Sequence, residues 1–147
     1  MKRTRIKQPS AYQSGEKQKL KENEVLIRLK TGKMRNYIRY TIKLITEHGQ
    51  RTVVLKAMGG AIYKAVSIAE LVKRRVHGLH QITEIASHDF IDVWEPINPD
   101  TVSAGNVQAI ETKRFVSTIA ITLSLDKLDT NALGYQPPLP ADLVSSG

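Results

Sequence analysis

The residues best suited to holding an anion lie in one run, Leu55-Lys56-Ala57-Met58-Gly59-Gly60-Ala61-Ile62-Tyr63-Lys64. Adjacent glycines let the backbone turn tightly and bring bare N–H groups to the surface. Where such a turn opens a helix, the helix dipole adds partial positive charge at the same place. Lys56 and Lys64 flank the turn. The chemistry on offer is phosphate contact, to a nucleotide or to a nucleic-acid backbone. A Gly-Gly pair alone also serves as a plain strand-to-helix connection, so the neighbours must decide.

Other constellations are weaker. His77 and His80 sit three apart, but a metal would need further donors and the chain has no cysteine. His88-Asp89 could pair a base with its orienting acid, yet no serine or threonine stands as an obvious nucleophile. Asp89, Asp92 and Glu95 lie at strand spacing that points them in different directions. Ser14-Gly15-Glu16-Lys17 lacks the full spacing of a phosphate loop. The reading is therefore non-catalytic, with no metal and no cofactor. The lack of cysteine rules out disulfides and thiolate chemistry, and fits a reducing compartment.

Charge supplies the context. The 147 residues carry a net charge of +8, unevenly spread. Residues 1–75 hold 19 Lys/Arg against five acids, and residues 76–147 hold three against nine. A strongly basic half points to a polyanion, and nucleic acid fits a basic protein of this size. No apolar run reaches the ~18 residues of a membrane span, and an acidic membrane surface would fit the charge but is not supported by a strongly amphipathic helix with bulky aromatics. The basic N-terminus lacks the apolar core of a secretory signal. A cytoplasmic or nuclear setting follows, and the basic arm could serve a nuclear address.

The elements that would position these groups can be read in order. Residues 1–22 are polar and basic, a flexible arm that adds salt-sensitive affinity. Glu24 to Lys30 alternates, with Val25, Ile27 and Leu29 on one side, as a half-buried strand does. From Met34, a helical period brings Tyr37, Ile38, Thr41, Ile42 and Ile45 inward, and Gly49 is a natural stop. The opposite face carries Arg35, Arg39 and Lys43 at i, i+4 and i+8. Like charges at that spacing repel, so an anion is the simplest reason to keep them. Thr52 to Ala57 is apolar almost throughout, as for a central strand covered on both faces.

After the glycine turn, a second helix runs to about Val76, with Ile62, Ala65, Val66, Ala69, Val72 and Val76 inward. Lys73-Arg74-Arg75 at its end complement the helix dipole. Gln81 to Trp94 alternates imperfectly, which suggests a strand with a bulge or a frayed end. Lys113 to Ser124 alternates well and carries Arg114, a further candidate contact. The two strands make a hairpin with a long loose tip. Residues 126–147 are turn-rich and end in an extended proline-containing tail. Tyr40 and Tyr63 lie near the basic surfaces, where a ring can stack on a base.

The order β-α-β-α-β-β is an α/β fold of the α+β sandwich kind, a mixed sheet with two helices on one face and a long terminal hairpin. Residues 23–125 form the domain. The chain resembles the Alba family in its longer eukaryotic form. Seven pieces carry the resemblance in order: Gly32-Lys33-Met34-Arg35-Asn36-Tyr37-Ile38, Val54-Leu55-Lys56-Ala57-Met58-Gly59-Gly60-Ala61-Ile62, Ala69-Glu70-Leu71-Val72-Lys73-Arg74-Arg75, Gly78-Leu79-His80-Gln81, Asp92-Val93-Trp94-Glu95-Pro96, Val116-Ser117-Thr118-Ile119 and Gly134-Tyr135-Gln136-Pro137-Pro138-Leu139-Pro140.

The resemblance implies binding of RNA or DNA, and a homodimer or a heterodimer with another Alba-like protein. It relates the chain to RNA-regulatory proteins and to protein subunits of the ribonuclease P and MRP ribonucleoproteins. Lys30, Lys33 and Arg35 match the family's first contact loop. The turn from Lys56 through Gly59 and Gly60 to Lys64 matches the second, with Met58 and Gly60 where many relatives carry arginine. The hairpin tip would be the third, but Glu95 to Glu111 holds no Lys or Arg. These features weaken a DNA-coating role and favour RNA or a protein partner. Lys30, Lys33, Arg35, Arg39, Lys43, Lys56 and Lys64 are expected to neutralise phosphates, with Gly59 and Gly60 donating backbone hydrogen bonds.

Overall fold

The structure, a computed structural model, describes residues 3–6, 20–96 and 110–145. The elements are β1 (Arg3–Ile6), β2 (Glu24–Leu26), α1 (Met34–Thr46), β3 (Thr52–Met58), a 3-10 turn at Gly59–Ala61, α2 (Ile62–Arg75), β4 (His80–Pro96), β5 (Ile110–Ser124), β6 (Tyr135–Gln136) and a closing 3-10 turn at Ala141–Leu143. Contacts divide the chain into two compact units, Leu20–Ala86 with Ser117–Gly147 and Met1–Lys19 with Ser87–Val116.

The larger unit is the expected mixed sheet with two helices. β2 runs parallel to β3, and β3 runs antiparallel to β5. Facing pairs Val53–Leu123, Leu55–Ile121 and Ala57–Ile119 are all buried. Both helices supply the other side of this core, through Ile38, Leu44 and Ile45 of α1 and Ala65, Ile68, Ala69 and Val72 of α2. Removal of this apolar surface from water is the main stabilising force. The buried Thr41 hydroxyl is satisfied within α1, donating to the Tyr37 carbonyl oxygen at 2.8 Å.

Several expectations are corrected. The first strand is shorter than Glu24 to Lys30. It gives one last ladder bond, from the Ile27 N–H to the Lys56 carbonyl, and then turns away. β3 is buried on one face only, because Thr52, Val54, Lys56 and Met58 on its other face are half-buried. On α2 the inward residue is Ile68, and Val66 is 44% exposed. Ala65, Ala69 and Val72 are buried as expected, and Val66 falls outside the helical arc that they set with Ile68. β4 is a long strand from His80 to Pro96, reaching past the expected Gln81 to Trp94 by one residue at its start and two at its end.

In the smaller unit, β1 pairs antiparallel with the end of β4, Arg3 opposite Pro96 and Ile6 opposite Val93. Four residues of the basic arm are thus in a strand. The hairpin tip at 97–109 lies outside the described residues.

The C-terminal segment is docked rather than loose. β6 pairs with β4, Tyr135 facing Ile82 and Gln136 facing Gln81. The Ser145 N–H donates to the Arg74 carbonyl at 2.8 Å, fastening the segment to the end of α2. Gly134 makes the approach possible. It has φ +80°, and a Cβ there would lie 2.3 Å from the Thr83 carbonyl oxygen. Gly134→Ala is expected to detach β6 and speed hydrogen exchange at the Thr83 amide, which now donates to Gly134, by about tenfold or more. Unchanged protection would show that the segment is held elsewhere.

Candidate nucleic-acid interface

The candidate surface begins where β2 releases the chain. The Arg28 N–H leaves the ladder and donates to the Tyr37 Oη at 3.2 Å. The same hydroxyl donates onward to the Thr31 carbonyl at 2.9 Å. The Lys64 Nζ donates to the carbonyls of Arg28 at 3.0 Å and Gly32 at 2.7 Å. It also lies 4.9 Å from the centre of the Tyr37 ring, a cation–π distance. Gly32 has φ +79°, and a Cβ on it would sit 2.8 Å from Tyr37 Cε2. The loop from Arg28 to Lys33 is therefore wrapped around one phenol and one ammonium.

Gly60 is what brings loop and turn together. A Cβ at Gly60 would lie 3.0 Å from Leu29 Cδ2, so the leucine packs over the bare glycine. The two loops singled out in sequence are one neighbourhood. The starts of both helices belong to it. Neither α1 nor α2 has a side-chain cap or an acid in its first turn, and α2 is entered through the 3-10 turn, where the Ile62 N–H donates to the Gly59 carbonyl.

Tyr37→Phe tests the wrap. It removes one hydroxyl that serves two backbone groups on a solvent-exposed loop. The expected cost is about 1 kcal/mol, read as a shift in thermal unfolding. No shift would mean that water replaces the phenol without loss.

The candidate residues sort into distinct settings. Lys30, Lys33, Arg35, Arg39 and Lys43 are exposed, and none pairs with a carboxylate among the described residues. Arg28 joins them, exposed and equally unpaired. Sequence reading missed Arg28 because the strand pattern absorbed it. Its only signal was the six-cation run from Arg28 to Lys43 (Arg28, Lys30, Lys33, Arg35, Arg39, Lys43), which contains no acid. Gly59 and Gly60 are exposed beside this group.

Three candidates are placed otherwise. Lys64 is only 7% exposed, and its ammonium is directed at the loop carbonyls, so it supports the site instead of touching a phosphate. Lys56 reaches the Glu24 carboxylate at 2.8 Å, across the β2–β3 pair. Arg114 belongs to the smaller unit, where its Nε lies 3.2 Å from the Asp92 carboxylate and its guanidinium 5.5 Å from the Phe90 ring centre. A partnered cation has less free charge for a phosphate.

His80 and Asp89, considered for metal or catalysis, are likewise engaged, while Ser14-Gly15-Glu16-Lys17 lies outside the described residues. His80 Nδ1 lies 2.8 Å from the Tyr135 hydroxyl, which helps dock β6. Asp89 pairs with Lys113 at 3.2 Å. No group of three or more potential metal-binding side chains occurs among the described residues.

A two-layer α/β domain with a cationic edge built on its first loop and helix is thus defined by fold and site together. The chain belongs to the Alba family, whose model matches residues 23–89. DNA/RNA-binding protein ALBA1 of Plasmodium falciparum is 37% identical over 129 residues, covering 88% of this chain and 49% of that protein. The ribonuclease P protein subunit p25-like protein of Homo sapiens is 41% identical over 106 residues, covering 72% of this chain and 63% of its own length. The Bos taurus protein of the same name is 39% identical over 119 residues, covering 80% and 71%. The chain thus spans about half of the Plasmodium protein and under two thirds of the human one. Among solved structures, ALBA1 from Trypanosoma brucei aligns with a TM-score of 0.44 and 18% identity, over 72% of this chain and 71% of that one.

Proposed function

We propose that this chain is a non-catalytic nucleic-acid-binding protein that holds RNA through its phosphates with little sequence preference. The observation that carries this reading is the contrast among its cations. Arg51, Lys56, Lys73, Lys113 and Arg114 each pair with a carboxylate. The run from Arg28 to Lys43 pairs with none among the described residues and lies beside two helix starts without side-chain caps. Unpaired, closely spaced cations repel one another unless an anion joins them. Phosphate contacts fix position and supply affinity but do not read bases. The Plasmodium relative, whose name describes DNA/RNA binding, agrees with this reading.

The test is titration of single- and double-stranded RNA and DNA at several salt concentrations. A steep fall of log affinity with log salt is expected, with slope about −0.7 to −0.9 per phosphate contact. Affinity that is flat in salt would overturn the reading. Tighter binding of DNA than RNA would move the proposal to the alternative of a DNA-binding chromatin protein.

A second reading is favoured by the human and bovine relatives, named as ribonuclease P subunit-like proteins. Here the chain is a protein subunit of a ribonucleoprotein, working as a homodimer or with another Alba-like chain, in the nucleus or the cytoplasm. No helix among the described residues is long and apolar enough to cross a membrane. Mass measurement of complexes isolated from cells separates the readings. A lone homodimer on RNA excludes the subunit role.

A further inference from the structure

We propose that the cleft between β2 and the first turns of α1 receives an unpaired nucleobase, so that the protein selects single-stranded over duplex nucleic acid. The proposal rests on the nucleic-acid-binding reading above. The cleft is open and has a volume of about 460 Å³. Its lining includes Val25 and Leu26 from β2, Arg28 from the loop, and Asn36, Tyr37 and Tyr40 from α1. It is mostly apolar with a few polar groups, which is the make-up of small-ligand sites.

Each polar group has a use for a base. Tyr40 is 49% exposed and lines the cleft, so part of its ring is accessible to an entering group. Every base has a flat face that can stack on such a ring. Asn36 is exposed one helical turn before Tyr40, and its side-chain amide has no partner among the described residues. That amide offers both a donor and an acceptor, the pattern needed for a base edge. The guanidinium of Arg28 pairs with no carboxylate among the described residues and can stack or donate. Glu24 also lines the cleft, but its charge is held by Lys56 at 2.8 Å, so it does not repel an entering nucleotide.

Charge identifies the occupant. Arg28 is in the lining, Lys30 and Lys33 lie on the same loop, and Arg35, Arg39 and Lys43 lie on the helix that forms the wall. A polyanion tracking these cations passes the cleft with its phosphates outside and can turn a base inward. A duplex cannot do so without unpairing, which makes the cleft a filter for strand state.

The experiment compares a uridine oligonucleotide of about 12 nucleotides with a duplex RNA of equal length, within the site sizes of single-strand binders. The variants are Tyr40→Ala, Tyr40→Phe and Lys33→Ala. Wild type is expected to favour the single strand. Tyr40→Ala should weaken single-strand binding about fivefold or more, as loss of one stacked base does, and should shrink the preference for it. Its salt slope should stay that of wild type, because no charge is removed. Tyr40→Phe keeps the ring and should retain the preference. A single 5-iodouridine in the oligonucleotide should cross-link to Tyr40 on irradiation.

If Tyr40→Ala leaves both affinities in place while Lys33→Ala lowers both, the cleft proposal falls and the phosphate-binding surface stands. If wild type binds neither oligonucleotide, the nucleic-acid reading itself falls and takes the cleft with it.

Discussion

Replacing Lys30, Lys33 and Arg35 together by alanine is expected to weaken binding by about 100- to 500-fold at about 0.1 M salt. The size follows from counterion release. Each phosphate contact contributes about 0.7 to 0.9 to the slope of log affinity against log salt. Losing three contacts should therefore lower the slope by about 2 to 3, and the affinities should converge towards 1 M salt. The three residues are exposed and pair with no carboxylate among the described residues, so the variant should fold normally. It should even gain slightly, since Arg35 and Arg39 repel at i, i+4 on α1.

The matching control is Arg51→Ala, Lys113→Ala and Arg114→Ala in one chain. It removes the same formal charge from cations that already face Asp126, Asp89 and Asp92. Its slope should change far less. Equal losses in the two triple variants would mean that net charge alone drives binding, and the case for a defined surface would end.

That control also measures how far charge could be read without coordinates. The sequence shows where cations lie, but not which of them are free. Arg114 looks available on a strand of alternating residues, yet Asp92 stands beside it on the neighbouring strand of the hairpin. Lys56 and Glu24 are remote in sequence and meet only because β2 and β3 pair in a particular register. The helical stripe was legible because its spacing is local, and a period of 3.6 needs no partner to be recognised. The inward face of β5, with Ile119, Ile121 and Leu123, was legible for the same reason on a period of two, whereas the apolar run of β3 hid its alternation and read as covered on both faces.

What could not be read was the point where a pattern stops. Leu29 continues the alternation of Val25 and Ile27, yet it is 48% exposed and packs over Gly60. Hydroxyl and ammonium groups from two helices draw the backbone out of the sheet at Arg28, and no local rule reports that. The glycine pair announced a close approach. Its partner, a leucine in the other loop, came only from the fold.

Lys64→Met is the second large expected effect, and it separates support from contact. The methionine keeps the length of the buried stem and removes the ammonium. Two charge-assisted hydrogen bonds to Arg28 and Gly32 are lost, each worth about 1.5 to 3 kcal/mol before water compensates. Both acceptors lie on exposed residues, so water recovers part of this, and a net loss of about 2 to 3 kcal/mol is expected. For a domain of this size, unfolding should move down by about 10 °C. Binding should also weaken, by about tenfold, because the loop carrying Lys30 and Lys33 must then be ordered on contact.

The salt slope distinguishes the two roles. A lost phosphate contact lowers it by about 0.7 to 0.9, whereas a lost support leaves it unchanged. Lys64→Met should follow the second pattern and Lys33→Ala the first. If Lys64→Met lowers the slope with little change in stability, the ammonium reaches phosphate in the complex and the loop must open to allow it. Combining Lys64→Met with Tyr37→Phe sharpens the test, since both side chains hold the same loop. Their costs should fall short of additive, because a loop already released by one substitution has little left for the other to release.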